Sequence, residues 1–178
     1  MVQSYAEEKA KILELPGMSV DNIMGSVKEA LVETQQVMET SGIKIKRIDL
    51  TLKALASGET GTQIKLNIPI LGELKLGSTI SSKSVQNIFI SLKPIKPETR
   101  TKDMKFFELG KRLKESILAL SNGVMAAVNT DPPLEVYESS VELNFILTSE
   151  SEISLIIKGG LEAELTNNLK IIFEKNMN

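Results

Sequence analysis

The 178-residue chain contains no cysteine, no histidine and no tryptophan. Without cysteine it cannot form disulfides, thiolate metal sites or a cysteine nucleophile. Without histidine, its own residues cannot support Ser–His or Cys–His catalysis or histidine-ligated zinc. Only Asp, Glu, Lys, Ser, Thr and Tyr remain for an enzyme, and none of them cluster in a motif. We therefore expect no enzymatic activity, no metal and no cofactor.

Aromatic residues and positive charge are also scarce. Aromatics make up 4% of the chain, the formal net charge is −2, and the pI is near 5.4. These values argue against a nucleic-acid-binding protein, which needs a basic field and often stacking aromatics. The N-terminus lacks the apolar core of a secretory signal, and no run approaches the ~20 apolar residues of a membrane-spanning helix. We expect a cytoplasmic protein, and the lack of cysteine fits a reducing compartment.

The apolar residues that are present follow first a helical and then an alternating pattern. Ser19 is a suitable N-cap, with a hydroxyl that can accept a first-turn amide, and Gly42 is a suitable C-terminal residue for the helix. The apolar positions of three alternating runs follow it, at Ile48, Leu50 and Leu52, at Ile64, Leu66, Ile68 and Ile70, and at Ile88, Ile90 and Leu92. Pro69 and Pro94 favour edge or end positions. The first half is predicted as helix, strand, strand, strand.

The second half repeats this order after a Pro-rich, charged segment. A helical stripe runs through Phe106, Leu109, Leu113, Ile117, Leu120 and Val124, and alternating runs follow at 141–147, 153–157 and 169–173. The segment IDLTL at 48–52 resembles VELNF at 141–145. We predict an α+β protein made of tandem duplicated αβββ units, each a helix packed on a three-stranded antiparallel sheet. Either unit alone would be small, so we expect the halves, or two chains, to pack together.

The predicted divisions are an N-terminal segment at 1–17, a first αβββ unit at 18–95, a linker at 96–105 and a second αβββ unit at 106–178. A short helix is also predicted at 5–15, before Pro16 and Gly17. The linker is where proteolytic nicking would concentrate, since it is short of apolar residues. Arg100 and Lys102 in this linker are candidate cleavage positions for a trypsin-like peptidase.

The first half, from MSVDNIMGSVKEALVETQQVMETSG at 18–42 to SVQNIFISLKPI at 84–95, resembles the second type of trypsin-co-occurring domain family. Asp49 stands where the family's leucine–glutamate–leucine strand has its acid. Further matching positions are Gly72 and Gly77 in the glycine-bearing stretch, and Ile90, Leu92 and Pro94 in the closing signature. The chain lacks the histidine that commonly precedes the family's closing strand. The second half would be a diverged second copy.

This resemblance implies a kind of partner. Domains of this family occur in bacteria beside or fused to trypsin-like peptidases in conflict or defence systems, as non-catalytic adaptors or regulators. The chain is therefore expected to be a non-enzymatic interaction or regulatory module, an accessory protein of such a peptidase, and a candidate homo-oligomer. The alternative is a membrane-acting, pore-forming effector activated by the peptidase, because the hairpins alternate strictly and the segment at 80–84 is Ser-rich.

Other candidate sites have competing interpretations. Asp49 and Glu142 occupy equivalent positions, and they are either an acid pair for general acid–base work or solvent-facing partners in cross-strand pairing. GELKLGS at 72–78 has the glycine spacing of a phosphate loop without its lysine, so a turn is the better interpretation. SESE at 149–152 is either a weak calcium loop or a hairpin turn. Basic clusters at 44–47 and 93–102 indicate a solvated surface, or a contact with anionic lipid or an acidic partner.

Overall fold

The computed structural model describes residues 17–57, 65–71, 85–95 and 108–177. Within these ranges the chain forms a mixed α+β fold with three helices and one curled antiparallel sheet. In chain order the elements are β1 (Gly17–Met18), α1 (Val20–Ser41), β2 (Ile43–Ser57), β3 (Lys65–Pro69), β4 (Val85–Leu92), α2 (Glu108–Asn129), β5 (Ser139–Leu147), β6 (Ile153–Ser154), α3 (Leu161–Glu164) and β7 (Asn167–Lys175).

The long strand β2 is the centre of the sheet. It lies between β4 and β7, β7 lies between β2 and β5, and the short β6 pairs with the end of β5. Leu55 pairs both with Val85 of β4 and with Asn67 of β3. Because a strand has only two sides, β3 must lie on the β7 side of β2, beyond the end of β7. β1 then pairs with β3.

A β-bulge near the start of β2 brings two sets of apolar residues onto one face. Ile43 and Ile45 have odd numbers, whereas Ile48, Leu50 and Leu52 have even numbers, so strict alternation would place them on opposite faces. The pairing of β2 with β7 shifts by one residue between Ile45 and Arg47, which corrects the phase. One extra residue in a strand has this effect, and Ile43 and Ile48 are both buried.

The hydrophobic core lies between one sheet face and the two long helices. Leu50 pairs with Leu169, which pairs in turn with Leu143, and a parallel row contains Ile48, Ile171 and Val141. The helices contribute stripes of buried residues at helical spacing, namely Ile23, Val27, Ala30 and Met38 from α1, and Leu109, Leu113, Ile117 and Val124 from α2. This burial confirms the predicted apolar faces of both helices and of the strands at 48–52, 141–147 and 169–173.

The two helices approach closely where their side chains are small. A Cβ atom on Gly110 would lie 3.0 Å from the backbone oxygen of Ser26. Lys114 and Glu33 form a 3.0 Å ion pair between the helices at the surface. The ends of α1 agree with the predicted positions: Ser19 is the N-cap residue, although its hydroxyl makes no capping hydrogen bond, and Gly42 is left-handed with φ 73°. Its N–H donates to the Glu39 carbonyl at 3.1 Å.

Some expectations differ from the structure or are not described by it. The predicted strand at 153–157 is confirmed only at Ile153–Ser154, and the short helix Leu161–Glu164 was not predicted. The predicted helix at 5–15 and the linker at 96–105 lie outside the described residues. In the described ranges, no helix combines the length and the hydropathy needed to cross a membrane.

Candidate interaction surface

The face of the sheet opposite the two long helices carries polar rows across its middle, and we call it the open face. Leu55, Ile146 and Ile172 also alternate onto this face, and they are buried. One row across it contains Ser91, Asp49, Lys170 and Glu142, from β4, β2, β7 and β5 respectively. The next row contains Phe89, Thr51, Asn168 and Asn144. These residues lie on this face because side chains alternate along each strand and the intervening residues form the core.

The carboxylates of the open face are used in cross-strand contacts. Asp49 accepts hydrogen bonds from Ser91 Oγ at 2.6 Å and from Arg47 Nε at 2.9 Å, one at each carboxylate oxygen. Glu142 accepts from Asn168 Nδ2 at 2.8 Å. Lys170 lies between the two acids in the same row. This arrangement favours the cross-strand interpretation of Asp49 and Glu142 over an acid pair, since β7 separates the two strands that carry these side chains.

Strand β4 has an open outer edge. In the ranges that the structure describes, its backbone pairs with β2 on one side only. Phe89 projects from the open face of this strand with 65% of its surface exposed. Leu92 is 38% exposed and Ile95, just beyond the strand, is 94% exposed. Apolar side chains and unpaired backbone groups therefore occur together at this edge.

The sequence of β4 offers none of the usual protection of a sheet edge. VQNIFISL contains no charged residue and no proline, although edge strands commonly carry lysine, proline or bulges that prevent pairing with another chain. It is also rich in β-branched and aromatic residues, a composition that favours added strands. Phe89 was not among the candidate residues predicted from the sequence. The uncharged run around it was the available signal, but only the tertiary structure shows that this run lies at an exposed edge.

Strand β5 has a second open edge. β6 pairs with Ile146 and Leu147 alone, so residues 139–145 have no strand on that side in the described part of the chain. This stretch, SSVELNF, contains one charged residue, Glu142. Among residues 17–57, 65–71, 85–95 and 108–177, the sheet thus has one open edge in each half of the chain, at opposite ends of the strand order.

A buried asparagine joins β7 to β2 at the middle of the sheet. Asn167 is the first residue of β7 and is 1% exposed. Its Oδ1 accepts the backbone N–H of Lys53 at 2.8 Å, immediately beyond the last backbone pair between β2 and β7, which is Thr51 with Asn168. The side chain therefore continues the pairing where the strands separate. No pattern in the sequence pointed to this role, because an asparagine before an apolar run is also common in turns.

The remaining sequence candidates fall in turns or outside the described residues. SESE forms a turn in which Ser149 Oγ accepts the amide of Glu152 at 3.0 Å, and the Glu108 N–H at the start of α2 donates to the Ser151 carbonyl at 3.0 Å. Lys44 pairs with Glu174 at 3.8 Å. Arg100, Lys102 and the glycine-bearing segment at 72–78 lie outside the described residues. No cluster of three acidic residues that could hold a metal ion occurs within those described.

No protein-family model matches the chain, and comparisons with curated proteins and with solved structures also give no match. The resemblance to the trypsin-co-occurring domain family therefore stays a prediction.

Proposed function

We propose that this chain is a non-enzymatic interaction module that binds an extended segment of a partner protein along the outer edge of β4. The open, uncharged edge of β4 with its exposed Phe89 supports this proposal. In strand addition, backbone hydrogen bonds to an exposed edge supply affinity, and alternate side chains supply specificity. Every second side chain of the added segment would project to the open face, and Phe89 would contact those that lie opposite or diagonal to it.

The polar residues of the open face support a binding role over catalysis. Asp49 is held by Ser91 of β4 and by Arg47 of its own strand, and Glu142 is held by Asn168 of β7, so these carboxylates are committed to hydrogen bonds within the sheet. A catalytic site requires acids and bases that converge on a reacting atom. The same charged face favours an interaction module over the membrane-acting effector, because charges in contact with lipid are costly.

We further propose that the two halves are duplicated αβββ units within the single sheet. In each half the first strand pairs with the third: Leu50 of β2 with Ile90 of β4, and Leu143 of β5 with Leu169 of β7. In each half the second strand, β3 or β6, pairs with the far end of the first. Each first strand also follows a long helix of the same length, 22 residues. This correspondence supports duplication, because unrelated halves need not share a pairing scheme.

The partner class proposed from the resemblance is a trypsin-like peptidase of a bacterial defence system. Cleavage after Arg100 or Lys102 would cut the chain between the two halves. Because β2 pairs with β7 from Ile43 to Thr51, and α1 packs on α2, we expect the two fragments to remain associated. Mass spectrometry after incubation with the peptidase would locate the cut, and gel filtration would show one species. An intact chain would contradict cleavage in the linker.

The direct test uses a trypsin-like peptidase, the partner class proposed above, with its nucleophilic serine replaced by alanine to prevent cleavage. Its affinity is measured by calorimetry for the wild-type chain, for Phe89→Lys and for Tyr137→Lys. Both aromatic side chains are highly exposed, so neither change should disturb the core, but only Phe89 lies on β4. We expect Phe89→Lys to weaken binding by about tenfold or more, as an edge lysine opposes strand addition. Equal affinity for all three chains would refute a site on β4.

A further inference from the structure

We infer that the strand added to β4 is β5 of a second copy of this chain, so that copies join head to tail through their sheets. This inference rests on the strand addition proposed above and names its occupant. It follows from the way β7 is already held within a single copy.

The pairing of β2 with β7 shows which strand fits beside the first strand of each half, which is β2 in the first half and β5 in the second. On one side of β2, β7 pairs along Ile43 to Thr51 and β3 pairs along Leu55 to Ser57. On the matching side of β5, β6 pairs at Ile146 and Leu147, and residues 139–145 are left open in the described part of the chain. The outer side of β5 therefore resembles the side of β2 that holds β3 and β7, with β6 in the place of β3 and no strand in the place of β7.

Strand β4 corresponds to the strand that would fill this position. β4 pairs with β2 through Leu50 and Ile90, just as β7 pairs with β5 through Leu143 and Leu169. Within one copy, Leu50 also pairs with Leu169. In the contact between copies, β5 takes the place of β2 and β4 takes the place of β7. Leu143 then stands for Leu50 and Ile90 for Leu169, so Leu143 of one copy pairs with Ile90 of the next. The order of strand types then continues unbroken from one copy into the next.

The side chains brought together by this register are compatible on both faces. On the helix-covered face, Val141, Leu143 and Phe145 would lie opposite Leu92, Ile90 and Ile88, extending the apolar rows of the core. On the open face, Glu142 would lie opposite Ser91, and Asn144 opposite Phe89. No like charges meet, because β4 is uncharged. Apolar pairs of this kind stabilise adjacent strands, and like charges would oppose them.

This contact cannot close on itself between two copies. Each copy would use β4 for one neighbour and β5 for the other, which is a heterologous interface. Such interfaces produce rings or open rows instead of two-fold dimers. The last copy in a row keeps an open β4, where a different partner protein can bind.

Disulfide trapping tests this arrangement cleanly, because the chain has no cysteine of its own. The variants Phe89→Cys and Asn144→Cys are purified separately, then oxidised alone and as a mixture. Residues directly opposite on paired strands lie within disulfide range, whereas two copies of either position in a head-to-tail pair do not. We expect a cross-linked dimer in the mixture at about ten times the yield of either variant alone, and a ladder of oligomers from the double variant.

Asn87→Cys mixed with Asn144→Cys serves as the register control, since Asn87 lies on the same face of β4 two residues away. It should cross-link less than Phe89→Cys. Cross-linking of Phe89→Cys with itself would show two-fold β4–β4 pairing and overturn the inference. Equal yields for Asn87→Cys and Phe89→Cys would overturn the proposed register.

Sedimentation of the wild-type chain and of Phe89→Lys completes the test without chemical trapping. We expect concentration-dependent association of the wild type and its loss in Phe89→Lys. A wild-type chain that is monomeric throughout, with no cross-link in the mixture, would refute self-assembly. The proposed strand addition to a peptidase would then be judged separately, by whether Phe89→Lys still weakens peptidase binding.

Discussion

Replacing Ser121 with alanine is expected to stabilise the protein. Ser121 lies in the buried stripe of α2 with 1% of its surface exposed, and its Oγ has no hydrogen-bond partner among the described residues. Ser116, on the same helix, donates its hydroxyl to the Arg112 carbonyl at 2.9 Å, which is the usual bond of a helical serine to the preceding turn. The two serines therefore form a matched pair that differs in hydrogen bonding.

The magnitude follows from three contributions to the free energy of unfolding. A buried hydroxyl without a partner costs about 1–3 kcal/mol, and its removal recovers that amount. Alanine adds about 0.5 kcal/mol through its higher helix propensity. The small space left by the oxygen costs a few tenths, at ~24 cal/mol per Å³ of cavity. We therefore expect Ser121→Ala to gain about 1–3 kcal/mol, or roughly 2–12 °C in Tm for a chain of this size.

Urea unfolding followed by circular dichroism measures this gain, with Ser116→Ala as the control. Ser116→Ala loses a real hydrogen bond worth about 0.5–1.5 kcal/mol and gains the same helix propensity, so its stability should change by less than about 1 kcal/mol. The slope of the transition should be equal in all chains, which makes the midpoints comparable. A loss of stability in Ser121→Ala, or equal changes in both variants, would refute the reasoning.

Two further stability predictions use matched pairs. Asn167→Ala should lower the free energy of unfolding by about 1–3 kcal/mol, because it leaves the Lys53 N–H without its acceptor. Asn168→Ala, on the open face, should lower it by less than about 1 kcal/mol. Thermal unfolding of both variants would show the difference, and equal losses would contradict it. Gly123→Ala should gain about 0.5–1 kcal/mol, since a Cβ there contacts nothing within 4 Å. Gly110→Ala should not show this gain, because its Cβ would press on α1; equal gains in both would contradict a close helix contact.

Local structure was largely predictable from the sequence. The helical stripe ending at Gly42 and the alternating runs around Leu50 and Leu143 are confirmed. The bulge between Ile45 and Arg47 was also visible, as a change in the phase of the apolar residues, although it was not predicted. Such features depend on residues close together in the chain, and each leaves its own period in the sequence.

The predictions for the second half failed where long-range contacts outweigh a local pattern. Alternation continues through Leu155 and Ile157, but the strand ends at Ser154, and the chain forms a turn and a short helix before β7. The chain must reach the interior position between β2 and β5 at this point, since Asn167 pairs with Phe145. The requirement comes from the order of the strands, which alternation does not encode.

The sequence by itself determined the two long helices and the longer strands, which face of each is apolar, and that the chain has no cysteine or histidine chemistry of its own. Only the tertiary structure decided that β2 pairs with β7 across the two halves, that Asn167 is buried where they separate, and that β4 and β5 each keep an edge with no strand from the described residues on it. The physical reason is that periodicity records whether a residue lies on the core side of its own element. Strand pairing joins backbone groups that are alike in every residue, so the choice of neighbour depends on the packing of the whole chain.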